Sequence, residues 1–373
     1  MDKKLELQDS LLILDVAVEL GFLDRERSDT ALTRQKQLRK GNLNLSMAQI
    51  LLERQLLTQE QLKTIHDEVE ARRSRHQKHQ PLKTKQTIFG KFQIDRVLAD
   101  NGYTRVIKAF DLQMASLVVL KILPGALSKQ TQWFERFKRE MFLVSNLSHP
   151  NIIGVHECGS VNDEPFISFE YLEGLSLSLR LEREGNFPEE TCWLVAREIA
   201  KGLAHIEEKG ILHRDLKPDN ILCGLDGSIK IIDLGLARSL LDNAAITAMG
   251  QTVGTPFYMS PEQACGTKGL DHRTDLYSLG CIIYHMLAGA VPFFADDAVE
   301  VMLKHNEAER PDPREFVPEL HAESKRLVQW LMAVKPEDRP ESAAVLVEEI
   351  TNLLLRLPDP SPSARSIIVV QPS

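Results

Sequence analysis

The spacing of hydrophobic residues divides most of the chain into two regions. The first holds short apolar runs that predict strands: Phe92–Leu98, Arg105–Phe110, Leu117–Leu123 and Phe166–Phe169. The second holds longer stretches with helical spacing: Thr191–Lys209, Thr274–Ala288, Glu323–Ala333 and Ala343–Leu355. Strands followed by helices predict an α+β fold whose two parts form separate lobes.

The N-terminal segment 1–72 is predicted to form a small helical module with an internal repeat. Within it, segment 18–26 aligns with segment 52–60. In each copy an apolar helix end leads to a candidate N-cap for the next helix, Asp24 in the first and Thr58 in the second. Residues 56–62 resemble helical modules found at the front of bacterial secretion ATPases. We expect an interaction module without chemistry of its own, which would bind a protein partner.

The remaining boundaries follow from composition. Residues 71–86 carry six basic side chains and no acid, which is typical of a solvated linker or of a patch for lipid headgroups or an acidic partner. The C-terminal segment 358–373 is rich in Pro and Ser and is expected to be disordered. We therefore assign 1–72 to the helical module, 73–88 to a basic linker, 89–357 to the α+β domain and 358–373 to a tail.

Composition limits the classes of function. A net charge of −8 argues against nucleic acid as the main partner. Five cysteines without a Cys-x-x-Cys pair predict reduced thiols, not disulfides or a zinc site. The sequence lacks a run of about 18 apolar residues, the length needed for a membrane span. Its N-terminus does not resemble a signal peptide, so we expect a cytoplasmic protein.

The most informative polar segment is 213–220, which reads His-Arg-Asp-Leu-Lys-Pro-Asp-Asn. Asp233 lies further along the chain, immediately after the apolar run 229–232. This order predicts a loop with a catalytic acid, followed by a strand that leads to a second acid. The pattern resembles the catalytic core of eukaryotic-type (Hanks-type) serine/threonine protein kinases of bacteria, and the resemblance extends over residues 89–357.

This resemblance implies a two-lobed enzyme that transfers the γ-phosphoryl group of ATP to protein Ser or Thr hydroxyls. Asp215 would accept or orient the hydroxyl proton, and Lys217 would neutralise charge on the phosphoryl group. Asn220 and Asp233 would supply oxygen ligands to Mg²⁺.

The resemblance also implies a nucleotide site. Lys121 would contact the α- and β-phosphates and pair with Glu140, because a buried lysine needs a carboxylate partner. The implied adenine contacts are the backbone of Glu170 and Leu172 and the side chains of Leu98, Val106 and Leu222.

The sequence departs from the family in the loop that covers the phosphates. The three glycine positions of that loop are occupied by Ala99, Asn101 and Thr104. Glycine lets backbone amides approach phosphates closely, so we expect weaker ATP binding. An alternative is a nucleotide-binding or nucleotide-free scaffold, and another is an interaction protein that works through its N-terminal repeats. The complete set of transfer residues favours an active kinase.

The resemblance points to a regulatory segment and to two structural contacts. A phosphate on Thr252, or secondarily Thr247, would bind Arg214 and order the segment; the alternative is an unmodified loop. Within the second lobe, Glu262 is expected to pair with Arg339, and Asp275 to anchor the catalytic loop.

Overall fold

The structure is a computed structural model of the chain. It describes residues 22–40, 46–66, 87–234 and 256–357, with positions 10, 13, 14, 16–18, 20 and 69. The chain forms two compact units. The sheet unit comprises Met1–Phe22 and Thr64–Glu173, and the helical unit comprises Leu23–Lys63 and Gly174–Ser373. Most of the predicted linker and tail lies outside the described residues.

The secondary structure of the described residues is as follows. The strands are β1 (Thr87–Ile88), β2 (Phe92–Asp100), β3 (Arg105–Asp111), β4 (Ser116–Ile122), β5 (Val155–Val161), β6 (Glu164–Glu170), β7 (Gly174–Ser176), β8 (Ile221–Gly224) and β9 (Ile229–Ile231). The helices are α1 (Arg25–Lys40), α2 (Met47–Glu53), α3 (Gly125–Ser128), α4 (Thr131–Val144), α5 (Leu177–Glu184), α6 (Glu189–Glu208), α7 (Pro261–Ala264), α8 (Arg273–Ala288), α9 (Ala298–Glu307), α10 (Ala322–Leu331) and α11 (Ala343–Leu354). A further helical segment covers 59–66.

The sheet unit contains an antiparallel sheet in the order β1-β2-β3-β4-β6-β5. Side chains in β3 and β4 alternate between buried and less buried positions, because successive residues of a strand face opposite sides of the sheet. The buried face forms one apolar cluster: Phe92, Ile107, Ala109, Val118, Leu120, Ile122 and Phe166. This cluster provides the rigid support for the residues that β4 carries.

The helical unit is organised around α6 and α8. Every residue from Thr274 to Leu287 of α8 is buried, as expected for a helix that is apolar on most sides. Trp193 of α6 is also buried, and its indole N–H donates to Ser324 Oγ of α10 at 2.8 Å. A small antiparallel sheet, ordered β7-β8-β9, completes the unit. Gly289 is the C-cap of α8, and its φ of 73° places it in the left-handed region.

The N-terminal helices begin where the repeat predicts. The Arg27 amide donates to Asp24 Oδ1 at 2.8 Å, and the Gln61 amide donates to Thr58 Oγ1 at 3.2 Å. Both side chains therefore act as N-caps. The sequence analysis did not identify a third N-cap at Ser46, which forms a reciprocal capping box with Gln49.

The predicted strands and helices of both lobes are present, with ends displaced by a few residues. The sequence analysis did not identify the short or polar elements β1, β5, β7, α5 and α9. These elements are short or mix polar with apolar residues, and the longer apolar and helical runs of the sequence do not include them. Within the described residues, no helix combines the length and apolar character needed to cross a bilayer.

Candidate active site

A buried ion pair links β4 to α4 in the sheet unit. The Lys121 ammonium lies 2.6 Å from Glu140 Oε1, and both side chains are nearly inaccessible to solvent. Glu140 is held between Phe137 and Val144, one turn away on either side of the helix, and both of these are also buried. A buried charge pair is costly to break, so the position of α4 and the orientation of Lys121 depend on each other.

Helix α8 fixes the backbone of the loop formed by residues 213–220. The Asp275 carboxylate accepts hydrogen bonds from the backbone amides of His213 and Arg214, both at 2.8 Å. Burial raises the pKa of Asp275, and the two amides counteract that shift by stabilising the carboxylate. The Gln263 side chain donates to the Arg214 carbonyl at 2.8 Å. These contacts hold Arg214 at a φ of 63°, which a non-glycine residue rarely adopts.

Around Asp215 the loop brings an acid, a cation and an amide together. The Lys217 ammonium lies 3.1 Å from Asp215 Oδ2. The Asn220 side-chain nitrogen donates to the Asp215 carbonyl at 2.8 Å. Because this nitrogen faces Asp215, the amide oxygen is the atom that Asn220 can offer to a cation.

Asp233, the second acid, follows strand β9. It therefore lies at the end of the β8–β9 hairpin where Asn220 precedes β8. The Ile232 amide donates to the Asn220 carbonyl at 2.9 Å, so Asp233 follows directly after a backbone contact with Asn220. Asp233 is exposed and has a φ of 57°. A carboxylate and an amide oxygen are hard ligands, which fit Mg²⁺ when phosphate oxygens and water complete its shell.

The expected adenine-binding residues are distributed over several strands. In the sheet unit, Leu98 lies on β2, Val106 on β3, Glu170 at the end of β6 and Leu172 just beyond it. Val106 is opposite Lys121 in the β3–β4 register, and the Glu170 amide donates to the Gly154 carbonyl at 2.9 Å. Leu222 lies on β8 in the helical unit. Their contacts with a nucleotide remain a prediction.

The degenerate loop between β2 and β3 satisfies its own backbone amides. Asn101 Oδ1 accepts from the amides of Tyr103 and Thr104, at 2.9 and 2.8 Å. Asp100 Oδ1 accepts from the Gly102 amide at 3.2 Å, and Asp100 Oδ2 accepts from Arg105 Nε at 3.0 Å. The Arg105 guanidinium and the Gly102 amide lower the pKa of Asp100. The sequence Asp-Asn-Gly is typical of side-chain-capped turns, and this signal was missed in the sequence analysis.

Side-chain contacts of Tyr258 and Glu262 anchor the segment 256–262 inside the helical unit. Arg339 donates to both carboxylate oxygens of Glu262, each at 2.7 Å, and this contact was expected from the resemblance. The sequence analysis did not identify the buried hydrogen bond between the Tyr258 hydroxyl and His285 Nδ1, at 2.8 Å. Thr247 and Thr252 lie outside the described residues.

The comparisons with known proteins agree with this geometry. A family model described as "Protein kinase domain" matches residues 92–350, and the chain belongs to that family. It is 35% identical over 274 residues to serine/threonine-protein kinase pkn3 of Myxococcus xanthus, covering 71% of this chain and 50% of pkn3. It is 33% identical over 264 residues to serine/threonine-protein kinase PrkC of Bacillus subtilis, covering 70% of this chain and 40% of PrkC.

A solved structure shares the fold. The Mycobacterium tuberculosis PknI kinase domain matches with a TM-score of 0.56 and 23% identity, over 73% of this chain and 99% of that one. The two-lobed α+β kinase fold expected from the sequence is therefore confirmed.

Proposed function

We propose that this chain is a serine/threonine protein kinase that uses ATP and Mg²⁺. The observation that carries the proposal is the loop in which Asp275 holds the backbone of His213 and Arg214 and thereby orients Asp215 beside Lys217 and Asn220. Phosphoryl transfer needs positioning and charge neutralisation more than covalent help from the protein, and these residues supply both.

Each residue has a defined part in this proposal. The Asp215 carboxylate orients the substrate hydroxyl and receives its proton, and the nearby Lys217 neutralises charge on the transferred group. Lys121, held by Glu140, contacts the α- and β-phosphates. Asn220 and Asp233 would hold Mg²⁺, which neutralises phosphate charge when bound. Leu98, Val106, Leu222 and the backbone of Glu170 and Leu172 would enclose adenine.

The relatives support an active enzyme. Both relatives described above are named as serine/threonine-protein kinases, and a scaffold that has lost activity is not supported by them. The chain spans half of pkn3 and 40% of PrkC. Its substrates, which we take to be protein Ser and Thr hydroxyls, and its cytoplasmic location therefore belong to the proposal.

The experiment that tests this function is phosphate transfer by the full-length protein. Radiolabelled γ-phosphate should pass from ATP to a generic basic protein in the presence of Mg²⁺. Transfer should disappear with Asp215→Asn, and phosphoamino acid analysis should show phosphoserine or phosphothreonine. The proposal would be wrong if wild-type protein left no label on the substrate, or if wild type and Asp215→Asn left equal amounts.

We further propose that the N-terminal helices control access of protein partners to the helical unit. Within that unit, Arg34 of α1 and Arg54, which caps α2, both form ion pairs with Asp296, the latter at 3.4 Å. Burial raises the pKa of Glu182 in α5 to about 7, and the neighbouring side chain of Ser46, the N-cap of α2, opposes that rise. These contacts join residues 23–63 to α5 and to the segment before α9.

A single charge tests this second proposal without deleting any part of the chain. Asp296→Asn should loosen the N-terminal helices and change the KM for a protein substrate while leaving the KM for ATP unchanged. Asp338→Asn, a change of the same kind elsewhere in the helical unit, is the matched control. An unchanged substrate KM in Asp296→Asn would show that these helices do not control access.

A further inference from the structure

An aromatic contact connects the tip of the degenerate loop to helix α4. The Tyr103 ring stacks on Trp133, with ring centroids 4.7 Å apart and planes inclined by 27°. Tyr103 is 53% exposed, so burial of its own surface does not account for its position. The Arg136 guanidinium also lies over the Trp133 ring, at 5.2 Å. Offset stacking and a cation–π contact both favour one fixed orientation of the indole.

The loop can act as a rigid arm because its amides are capped internally. Asp100 and Asn101 together accept hydrogen bonds from the amides of Gly102, Tyr103 and Thr104. Gly102 adopts a φ of 80°, and a Cβ built on it would meet no atom within 4 Å, so backbone conformation alone favours glycine there. The hairpin therefore presents Tyr103 in a defined position without support from a ligand.

Helix geometry relates Trp133 to the buried ion pair. Trp133 and Glu140 are separated by about two helical turns in α4, and so they lie on nearly the same side of the helix. The strand that follows the loop pairs with the strand that carries Lys121, with Val106 opposite Lys121. Loop, helix and strand are thus joined by three contacts: Tyr103 with Trp133, Glu140 with Lys121, and Val106 with Lys121.

We propose that Tyr103 and Trp133 form a clasp that holds α4 in the position where Glu140 pairs with Lys121. Both are positioning residues, since they act on Lys121 through the helix and not by touching the nucleotide. In a loop that lacks the usual glycines, the clasp gives the loop a second way to support the reaction. The bearing of the clasp on catalysis rests on the proposed kinase function, but the clasp itself does not.

The reactivity of Lys121 tests the clasp without ATP or a protein substrate. Full-length protein would be treated with limiting N-hydroxysuccinimidyl acetate, and acetylation of each lysine measured by mass spectrometry. Tyr103→Ala and Trp133→Ala should each raise Lys121 acetylation roughly 2- to 10-fold, because an aromatic pair shifts an equilibrium by about that factor. Lys138, exposed on the same helix, is the internal reference and should not change.

Further variants separate the clasp from a general loss of stability. Tyr103→Phe keeps the ring and should behave as wild type. Phe142→Ala removes a 69% exposed ring from α4 and should also leave Lys121 acetylation unchanged. Combining Tyr103→Ala with Trp133→Ala should have no more effect than the larger single change, because either one already opens the clasp.

The outcomes are distinct. Unchanged Lys121 acetylation in both alanine variants would overturn the clasp, as would an equal rise in Phe142→Ala. If the clasp behaves as expected while wild-type protein transfers no phosphate, the clasp stands and the proposed function fails. If wild-type protein transfers phosphate but Tyr103→Ala and Trp133→Ala leave Lys121 acetylation unchanged, only the clasp fails.

Discussion

The ammonium group of Lys217 lies 3.1 Å from the Asp215 carboxylate, in a loop whose backbone is held by Asp275. Asp275 fixes the backbone of the two residues before Asp215, and this positions the Asp215 carboxylate beside Lys217. A carboxylate that is oriented in advance contributes to the transfer step and not to nucleotide binding.

Asp215→Asn is accordingly expected to lower the single-turnover transfer rate by about 10²–10⁴, the usual contribution of a general base. Asparagine is close to isosteric, so the thermal unfolding midpoint and the Kd for Mg-ATP should be nearly unchanged. Equal single-turnover rates for variant and wild type would exclude Asp215 as the group that orients the hydroxyl.

Because side chains cap the amides of the loop between β2 and β3, we expect a single glycine substitution there to strengthen ATP binding. Asn101→Gly removes the oxygen that accepts from the Tyr103 and Thr104 amides, which then become free to donate to phosphate oxygens. The KM for ATP should fall, and restoring all three glycines (Ala99→Gly, Asn101→Gly and Thr104→Gly) should lower it further. Ala99→Gly alone is the comparison: it restores a glycine without removing a capping group, so it should lower the KM less than Asn101→Gly does. An unchanged or higher KM in Asn101→Gly would count against release of these amides.

The ion pair between Glu262 and Arg339 predicts a large loss of stability. The Arg339 side chain is fully buried, and Arg339→Met would leave the Glu262 carboxylate without its bidentate partner. Breaking such a buried pair costs about 3–5 kcal/mol of unfolding free energy. Arg326→Met, which removes a half-exposed partner of Glu323, should cost less than about 1 kcal/mol. Urea unfolding of the two variants would check the difference, and equal losses would contradict it.

Two buried histidines predict a dependence of stability on pH. Burial lowers the pKa of His285 to about 4 and that of His305 to about 3, below the ordinary value of 6.5. Between pH 4 and 6.5 the unfolded chain therefore binds more protons than the native protein does. The unfolding free energy contributed by each histidine should rise with pH in this window, by at most about 1.4 kcal/mol per pH unit, and level off above 6.5.

His285→Asn should reduce that slope, because asparagine can accept from the Tyr258 hydroxyl without titrating. His321→Asn is the matched control, since His321 is exposed and caps α10. Urea unfolding at pH 4.5, 5.5, 6.5 and 7.5 would measure the slopes. If His285→Asn and wild type have the same slope, protonation of His285 is not coupled to unfolding.

Regulation by phosphorylation remains a prediction. If the protein phosphorylates its own regulatory segment, the phosphate should appear on Thr252 or Thr247, where Arg214 would bind it through charge-assisted hydrogen bonds. Thr252→Ala combined with Thr247→Ala should slow transfer to an external substrate, and Arg214→Ala should do the same without blocking ATP binding. Mass spectrometry of ATP-treated protein that finds phosphate only at Thr84, Thr87 or Ser361 would transfer the regulatory role to other parts of the chain.

The sequence by itself determined the features that local pattern encodes. Short apolar runs predicted the strands β3 and β4, helical spacing predicted α6 and α8, and Asp24 and Thr58 were found as N-caps. The family motif pointed to Asp215, Lys217 and Asn220, and the structure places these residues together because all three lie in one short loop. The motif also pointed to Asp275 and Arg339, although these act across the fold.

Only the tertiary structure decided contacts between side chains without a motif. The hydrogen bond of Tyr258 to His285 and the stack of Tyr103 on Trp133 each join segments that are well separated along the chain, and neither segment's period specifies the partner. The capping of the loop by Asp100 and Asn101 was also missed, because the family motif specifies glycines in this loop and carries no information about a turn capped by side chains. Such contacts depend on which surfaces the sheet and helices bring together, and a linear pattern records the faces of an element but not their neighbours.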